Sequence, residues 1–146
     1  MLVFMNHNLV FLAVPKTGTT ALEEALAPHS SIAVSGPPDL RHMNAGRYQQ
    51  EWRPFLRQTY GFRPETMAVL RDPLDRLRSW YRYRRSAQFD GLRVSTKDIS
   101  FEAFLEAVMQ EEDRPRYAEV GSQDRVWLNL QDAPRLPHLL VHDTLA

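Results

Sequence analysis

Short apolar runs that end at proline-containing turns constrain the fold of this chain more than any other feature. Residues 9–14 and 66–70 are two such runs, and continuous apolar stretches of this length are typical of strands buried on both faces of a parallel sheet. A turn follows each run, and apolar side chains with helical spacing follow each turn. The repeated order of strand, turn and helix predicts an α/β fold, with a parallel sheet and flanking helices.

Weaker patterns complete this prediction. They indicate a short strand at residues 32–34, two short helices within residues 45–60, a helix over residues 101–109, a helix over residues 122–130 and a last strand at residues 138–142. The apolar stripe of the helix over residues 101–109 is expected in the core. Its members are Phe101, Phe104, Leu105, Val108 and Met109.

Length and charge limit the classes of protein that this chain can belong to. With 146 residues it has the length of one domain, residues 1–146. A formal net charge of +0 gives no overall field to attract nucleic acid, so we expect no nucleic-acid partner. Cysteine is absent, and neither a signal peptide nor an apolar run long enough for a membrane span is found. The expected location is therefore the cytoplasm.

The first apolar run ends in a segment suited to hold a phosphate. Because the segment joins a strand to a helix, free backbone N–H groups and the positive helix end are directed at a ligand there. Gly18 permits close approach of the backbone, Lys16 adds a charge, and three threonine hydroxyls add donors. A threonine-capped turn is the alternative. The segment, called the loop below, is Pro15-Lys16-Thr17-Gly18-Thr19-Thr20.

The order of residues in the loop differs from that of nucleotide kinases. In the Walker A pattern the Lys directly follows the last Gly, whereas Lys16 stands two positions before Gly18 and no other Gly precedes it in the loop. The order instead resembles the 5′-phosphosulfate loop of the sulfotransferase family, whose fold is a variant of the P-loop NTPase architecture.

A second motif follows the run at residues 66–70. It reads Arg71-Asp72-Pro73-Leu74-Asp75-Arg76-Leu77-Arg78-Ser79 and resembles the 3′-phosphate site of the same family. Arg71 at a strand end can hold a phosphate with two hydrogen bonds, and Ser79, two helical turns later, can donate its hydroxyl. The alternative is that Arg71 pairs with Asp72 or Asp75, and that Ser79 is only a small packing residue.

The resemblance to sulfotransferases covers most of the chain and implies a reaction. The sulfuryl group of 3′-phosphoadenosine-5′-phosphosulfate (PAPS) would pass to a hydroxyl or amine of a small-molecule or carbohydrate acceptor, without a metal. Lys16 would then stabilise charge on the leaving phosphate. Residues 40–42 and 121–128 also look like family features. Because the family continues beyond a strand such as residues 138–142, the chain is expected to be either a fragment or a minimal domain.

His42 is the candidate base of this reaction. Family members often place a His or Glu in the loop after the second strand, and imidazole titrates near neutral pH. The alternative is a His that only contacts solvent or substrate, and Asp39 and Glu51 are further candidate bases.

Basic and aromatic residues alternate on the helix after Arg71. They indicate either a surface for an anionic saccharide or phenolic acceptor, or an ordinary solvated helix face. The residues are Tyr81, Arg82, Tyr83, Arg84 and Arg85.

Two other functions remain open from the sequence. A noncatalytic module would keep both phosphate sites and bind an adenosine bisphosphate without turnover. A small-molecule kinase would bind ATP with magnesium, although Lys16 is displaced from the kinase position and no obvious metal-binding acid follows a strand.

Overall fold

A computed structural model of the protein describes residues 1–123 and 138–142. One sheet has the strand order β3-β1-β2-β4-β5. Its strands are β1 (Leu2–Phe4), β2 (Leu9–Leu12), β3 (Ile32–Ala33), β4 (Glu65–Arg71) and β5 (His138–His142).

Helices connect most of these strands. A π-helical turn at Tyr48–Trp52 joins two of the helices, and 3-10 turns lie at Met5–His7, Ala27–His29, Ala87–Phe89 and Arg116–Ala118. The α-helices are α1 (Thr19–Leu26), α2 (Pro38–Arg41), α3 (Ala45–Arg47), α4 (Arg53–Tyr60), α5 (Pro73–Arg84) and α6 (Phe101–Met109).

The centre of the sheet is parallel, which confirms the predicted α/β class. β2 pairs in parallel with β4, and β4 pairs in parallel with β5. β1 was not predicted, and it runs antiparallel to both β2 and β3. The strand lies within a short run of five apolar residues, 1–5, and its pairing with β2 and β3 identifies it as a strand.

Alternate side chains of β1 and β2 supply the cores on the two faces of the sheet, as the two-residue period of a strand requires. On one face, Val10 and Leu12 pack with Tyr48 and Leu56 of the segment that includes α4. On the other, Phe11 packs with Leu22 and Leu26 of α1, among others. Burial on both faces explains why residues 9–14 are apolar without alternation.

The chain divides into two compact units, of which Asp72–Ser122 is the smaller. Within it, Phe104 and Ala107 of α6 are buried, whereas Met109 is 81% exposed. The prediction that Met109 belongs to the core stripe is therefore wrong, because the stripe turns to solvent at the last residue of α6. The expected single domain over residues 1–146 stays a prediction.

The predicted helix over residues 122–130 lies, from residue 124 onward, outside the described residues. No helix in residues 1–123 or 138–142 has both the length and the apolar character that a membrane span needs.

Candidate functional site

The structure brings the loop and Arg71 to the same edge of the sheet. β2 and β4 are neighbouring parallel strands in which Leu12 pairs with Ala68. Pro15 and Arg71 each follow this pair by three residues, so both lie at the carboxyl ends of their strands. This edge is where open α/β sheets bind their ligands.

Two residues with positive φ shape the loop. Lys16 has φ of 69° and Gly18 has φ of 78°, both in the left-handed region. Gly18 is the N-cap of α1, and the first turn of that helix contains no acidic residue. No carboxylate of the first turn therefore competes with an anionic ligand for the N–H groups that begin α1.

Two threonine side chains of the loop form hydrogen bonds with the protein backbone. Thr17 Oγ1 and Thr19 Oγ1 are buried and donate to the carbonyl oxygen of Val14, at 2.9 and 3.3 Å. These two hydrogen bonds hold the loop against the end of β2, and the role of the two hydroxyls in binding a ligand stays a prediction. The backbone N–H groups of Thr17 and Thr19 are further candidate donors to a ligand.

Lys16 is only partly exposed. Burial lowers the pKa of its ammonium group below the ordinary value, because desolvation disfavours the charged form. A bound phosphate or sulfate beside the ammonium would oppose this effect.

Two hydrogen bonds with Gln123 hold the backbone of Arg71, whereas the Nε atom of its side chain has no hydrogen-bond partner among the described residues. The side-chain amide of Gln123 accepts a hydrogen bond from Arg71 N at 2.9 Å and donates to Arg71 O at 2.8 Å. Arg71 Nε is buried, and it has no hydrogen-bond partner among the described residues. Sequence reasoning assigned no role to Gln123, because nothing local links it to a residue 52 positions earlier.

The two carboxylates after Arg71 have partners within α5 or at its start. Asp72 is the N-cap of α5 and accepts a hydrogen bond from Asp75 N at 2.9 Å. The carboxylate of Asp75 pairs with Arg78 at 3.0 Å. Ser79 lies in the middle of α5 and is half-buried in the smaller compact unit.

His42 contacts the backbone that leads into the loop. Its Nδ1 lies 2.9 Å from the carbonyl oxygen of Ala13. A carbonyl oxygen can only accept, so Nδ1 carries the proton in this contact, and in the neutral ring Nε2 keeps the lone pair. This tautomer is the one that can take a proton through Nε2. The other candidate bases, Asp39 and Glu51, both pair with Arg47, at 3.3 and 2.9 Å.

An ion pair connects the residue before His42 to the helix that follows the loop. Glu23 of α1 is buried, and its carboxylate lies 2.7 Å from Arg41 Nη2. The same nitrogen of Arg41 donates to Thr20 Oγ1 of the loop at 3.4 Å. The amino group of Met1 also contacts Glu23, at 3.2 Å. The sequence contained no signal for this pairing beyond the resemblance of residues 40–42.

The basic and aromatic residues of α5 do not form the uniform exposed patch that the sequence suggested. Arg84 is buried and donates to the backbone carbonyls of Arg116, Tyr117 and Glu119. Arg84 therefore holds the 3-10 turn at Arg116–Ala118 and cannot also bind an acceptor. Arg82 and Arg85 are exposed.

Within the part of the chain that the structure describes, no group of three or more His, Asp or Glu side chains is placed to hold a metal ion. A family model described as the sulfotransferase family matches residues 1–140. Comparisons with curated proteins and with solved structures give no match.

Proposed function

Because the chain belongs to the sulfotransferase family, we propose that it transfers the sulfuryl group of PAPS to a hydroxyl or amine of a small-molecule or carbohydrate acceptor. The loop, residues 15–20, would bind the 5′-phosphosulfate through Lys16 and backbone N–H groups. Arg71 and Ser79 would bind the 3′-phosphate. A cytoplasmic location is part of this proposal.

The buried Nε of Arg71 is the observation that carries the assignment of the donor. A buried guanidinium N–H without an acceptor costs free energy, and a phosphate oxygen is a strong acceptor for it. Arg71 and Lys16 lie at the same edge of the sheet, so two cationic side chains are available there for one anionic ligand. A donor that carries phosphate at both ends of its adenosine uses both cations.

The proposed step moves one sulfuryl group and one proton. The acceptor oxygen or nitrogen bonds to sulfur, while the bond from sulfur to the bridging phosphate oxygen breaks. His42 Nε2 accepts the proton of the acceptor, and the leaving adenosine bisphosphate keeps the electron pair. Lys16 and the N–H groups of the loop stabilise the charge that develops on this leaving group.

Calorimetric binding of adenosine 3′,5′-bisphosphate tests the donor site. We expect Lys16→Ala and Arg71→Ala each to weaken binding by about tenfold or more, since each removes charge-assisted hydrogen bonds. Arg116→Ala, which removes an exposed arginine paired with Glu119, should leave the affinity unchanged. Selective binding of ATP with magnesium would instead favour a kinase, and binding of neither nucleotide would contradict the donor site.

Single-turnover sulfation by His42→Asn tests the proposed base. The Asn amide can still donate to the carbonyl of Ala13, but it has no equivalent of Nε2. We expect bisphosphate affinity to be unchanged and the rate to fall by roughly 100-fold or more. An unchanged rate would exclude His42 as the base. Bisphosphate binding without sulfation of any acceptor by the unmodified protein would support the noncatalytic alternative.

A further inference from the structure

A cavity of about 820 Å³ lies at the edge of the sheet opposite the loop. Asn8, which directly precedes β2, and Glu65, the first residue of β4, are among its lining residues. The loop follows the other end of β2. Asn8 and Val14 are six residues apart, which corresponds to roughly 20 Å of extended chain. The cavity is thus separate from the proposed donor site.

Arginines dominate the charge of this cavity. Arg53, Arg57 and Arg63 all line it, and Arg53 and Arg57 share a face of α4 because they are four residues apart. Arg53 is oriented by a hydrogen bond to Gln49 Oε1 at 2.6 Å. Glu65 also lines the cavity, and its carboxylate lies 2.6 Å from His138 Nε2. The lining therefore carries an excess of positive charge.

A residue of the cavity wall carries a buried hydroxyl that has no partner among the described residues. Tyr48 lines the cavity and its side chain is fully buried, yet its hydroxyl has no hydrogen-bond partner among the described residues. Burial raises the pKa of Tyr48 to about 12, and the positive charge of Arg53 acts in the opposite direction. The phenol therefore remains a proton donor at neutral pH.

Apolar groups form another part of the wall. The ring of Phe62 and the prolines at positions 54 and 64 line the cavity beside the arginines. Small-molecule sites typically combine such apolar walls with a few convergent polar groups. A buried hydroxyl without a hydrogen bond lowers the stability of the protein, and an acceptor on a ligand would remove this cost.

We propose that this cavity binds a small organic anion, with an apolar ring against Phe62 and an oxyanion held by Tyr48, Arg53 and Arg57. The oxyanion accepts a hydrogen bond from the Tyr48 hydroxyl and is neutralised by the arginines. This site goes beyond the proposed sulfuryl transfer, because it shares no residue with the loop, Arg71 or His42.

Naphthalene-2-sulfonate is a suitable probe, because it joins an aromatic body to an oxyanion. We expect saturable calorimetric binding to the unmodified protein, and little binding of the neutral analogue 2-naphthalenemethanol. Tyr48→Phe and Arg57→Gln should each weaken the affinity for the sulfonate by about tenfold, as for a lost hydrogen bond to a charged group. Naphthalene-2-carboxylate and inorganic phosphate, used as further probes, distinguish an oxyanion on a ring from a free anion.

Matched variants separate this site from the donor site. Lys16→Ala and Arg116→Gln should bind naphthalene-2-sulfonate with unchanged affinity, because neither residue lines the cavity. Arg57 is exposed, so Arg57→Gln remains informative even if Tyr48→Phe fails to fold. Absence of saturable binding, equal binding of the neutral analogue, or unchanged affinity in both Tyr48→Phe and Arg57→Gln would each overturn the proposal.

Discussion

Lys16, the cation of the proposed donor site, has an unfavourable backbone conformation. Its φ of 69° lies in the left-handed region, where a residue with a Cβ atom costs about 1–2 kcal/mol. Glycine fits this region without that cost, as Gly18 does two positions later. Strain of this kind is typical of functional sites, and here it is retained at the cation proposed to contact the leaving group.

Comparison of Lys16→Gly with Lys16→Ala tests this strain. Both variants remove the ammonium group, but only Ala keeps a Cβ atom in the left-handed conformation. We expect Lys16→Gly to be more stable than Lys16→Ala by about 1 kcal/mol, measured by equilibrium denaturation in urea. Both should lose affinity for adenosine 3′,5′-bisphosphate equally. An Ala variant as stable as the Gly variant would show that the loop relaxes when the amine is removed.

At this scale the sequence predicted that Lys16 and Arg71 follow strand ends, but it did not predict the directions of the loop hydroxyls. Lys16 and Arg71 were predicted because each follows an apolar run, and the end of a strand is visible in the sequence. The direction of the Thr17 hydroxyl depends on the carbonyl of Val14, and residue order alone does not show whether a loop hydroxyl faces its own backbone or a ligand.

The helix α1 is connected to the segment that carries His42 by the pair of Glu23 and Arg41. Glu23 has a side-chain exposure of 10%, against 31% for Arg41, so the carboxylate is the more buried partner. Loss of one partner of such a pair leaves the other charge partly desolvated. The pair therefore contributes to holding the start of α1 and residues 41–42 in place.

Substitution of Glu23 by Gln should destabilise the protein by about 2 kcal/mol, since the side-chain volume is kept while the charge is lost. Glu24→Gln is the matched control, because Glu24 is an exposed neighbour on the same helix and should change stability by less than about 0.5 kcal/mol. Thermal unfolding of both variants measures the difference. Equal melting temperatures would show that the pair adds nothing to stability.

Elements were predictable where a buried apolar run, a helical period or a residue typical of a helix start marks them. β2, β4 and β5 follow from apolar runs, and α5 begins at Pro73, as expected for proline in the first helical turn. β1 was missed, although it lies within an apolar run at residues 1–5, because its antiparallel partners are not visible in a local pattern. The exposure of Met109 was missed because an apolar stripe on a helix does not show how far along the helix the packing partner extends.

For the molecule as a whole, the predicted single domain implies one cooperative unfolding transition. The smaller unit, Asp72–Ser122, has 51 residues (122 − 72 + 1), and domains of about this size are only marginally stable alone. Calorimetry should therefore give equal calorimetric and van't Hoff enthalpies. Two separate transitions, or loss of amide protection in residues 72–122 alone, would indicate two domains.

The sequence by itself determined the alternation of strands and helices, the loop at residues 15–20 and the place of Arg71 at a strand end. These features depend on short-range periodicity and on the order of neighbouring residues. Only the tertiary structure decided the position of β1, the Nδ1 contact of His42 and the pairing of Glu23 with Arg41. Each of these joins residues that are distant in the chain, and the free energy of a nonlocal contact depends on burial and geometry that no local pattern specifies.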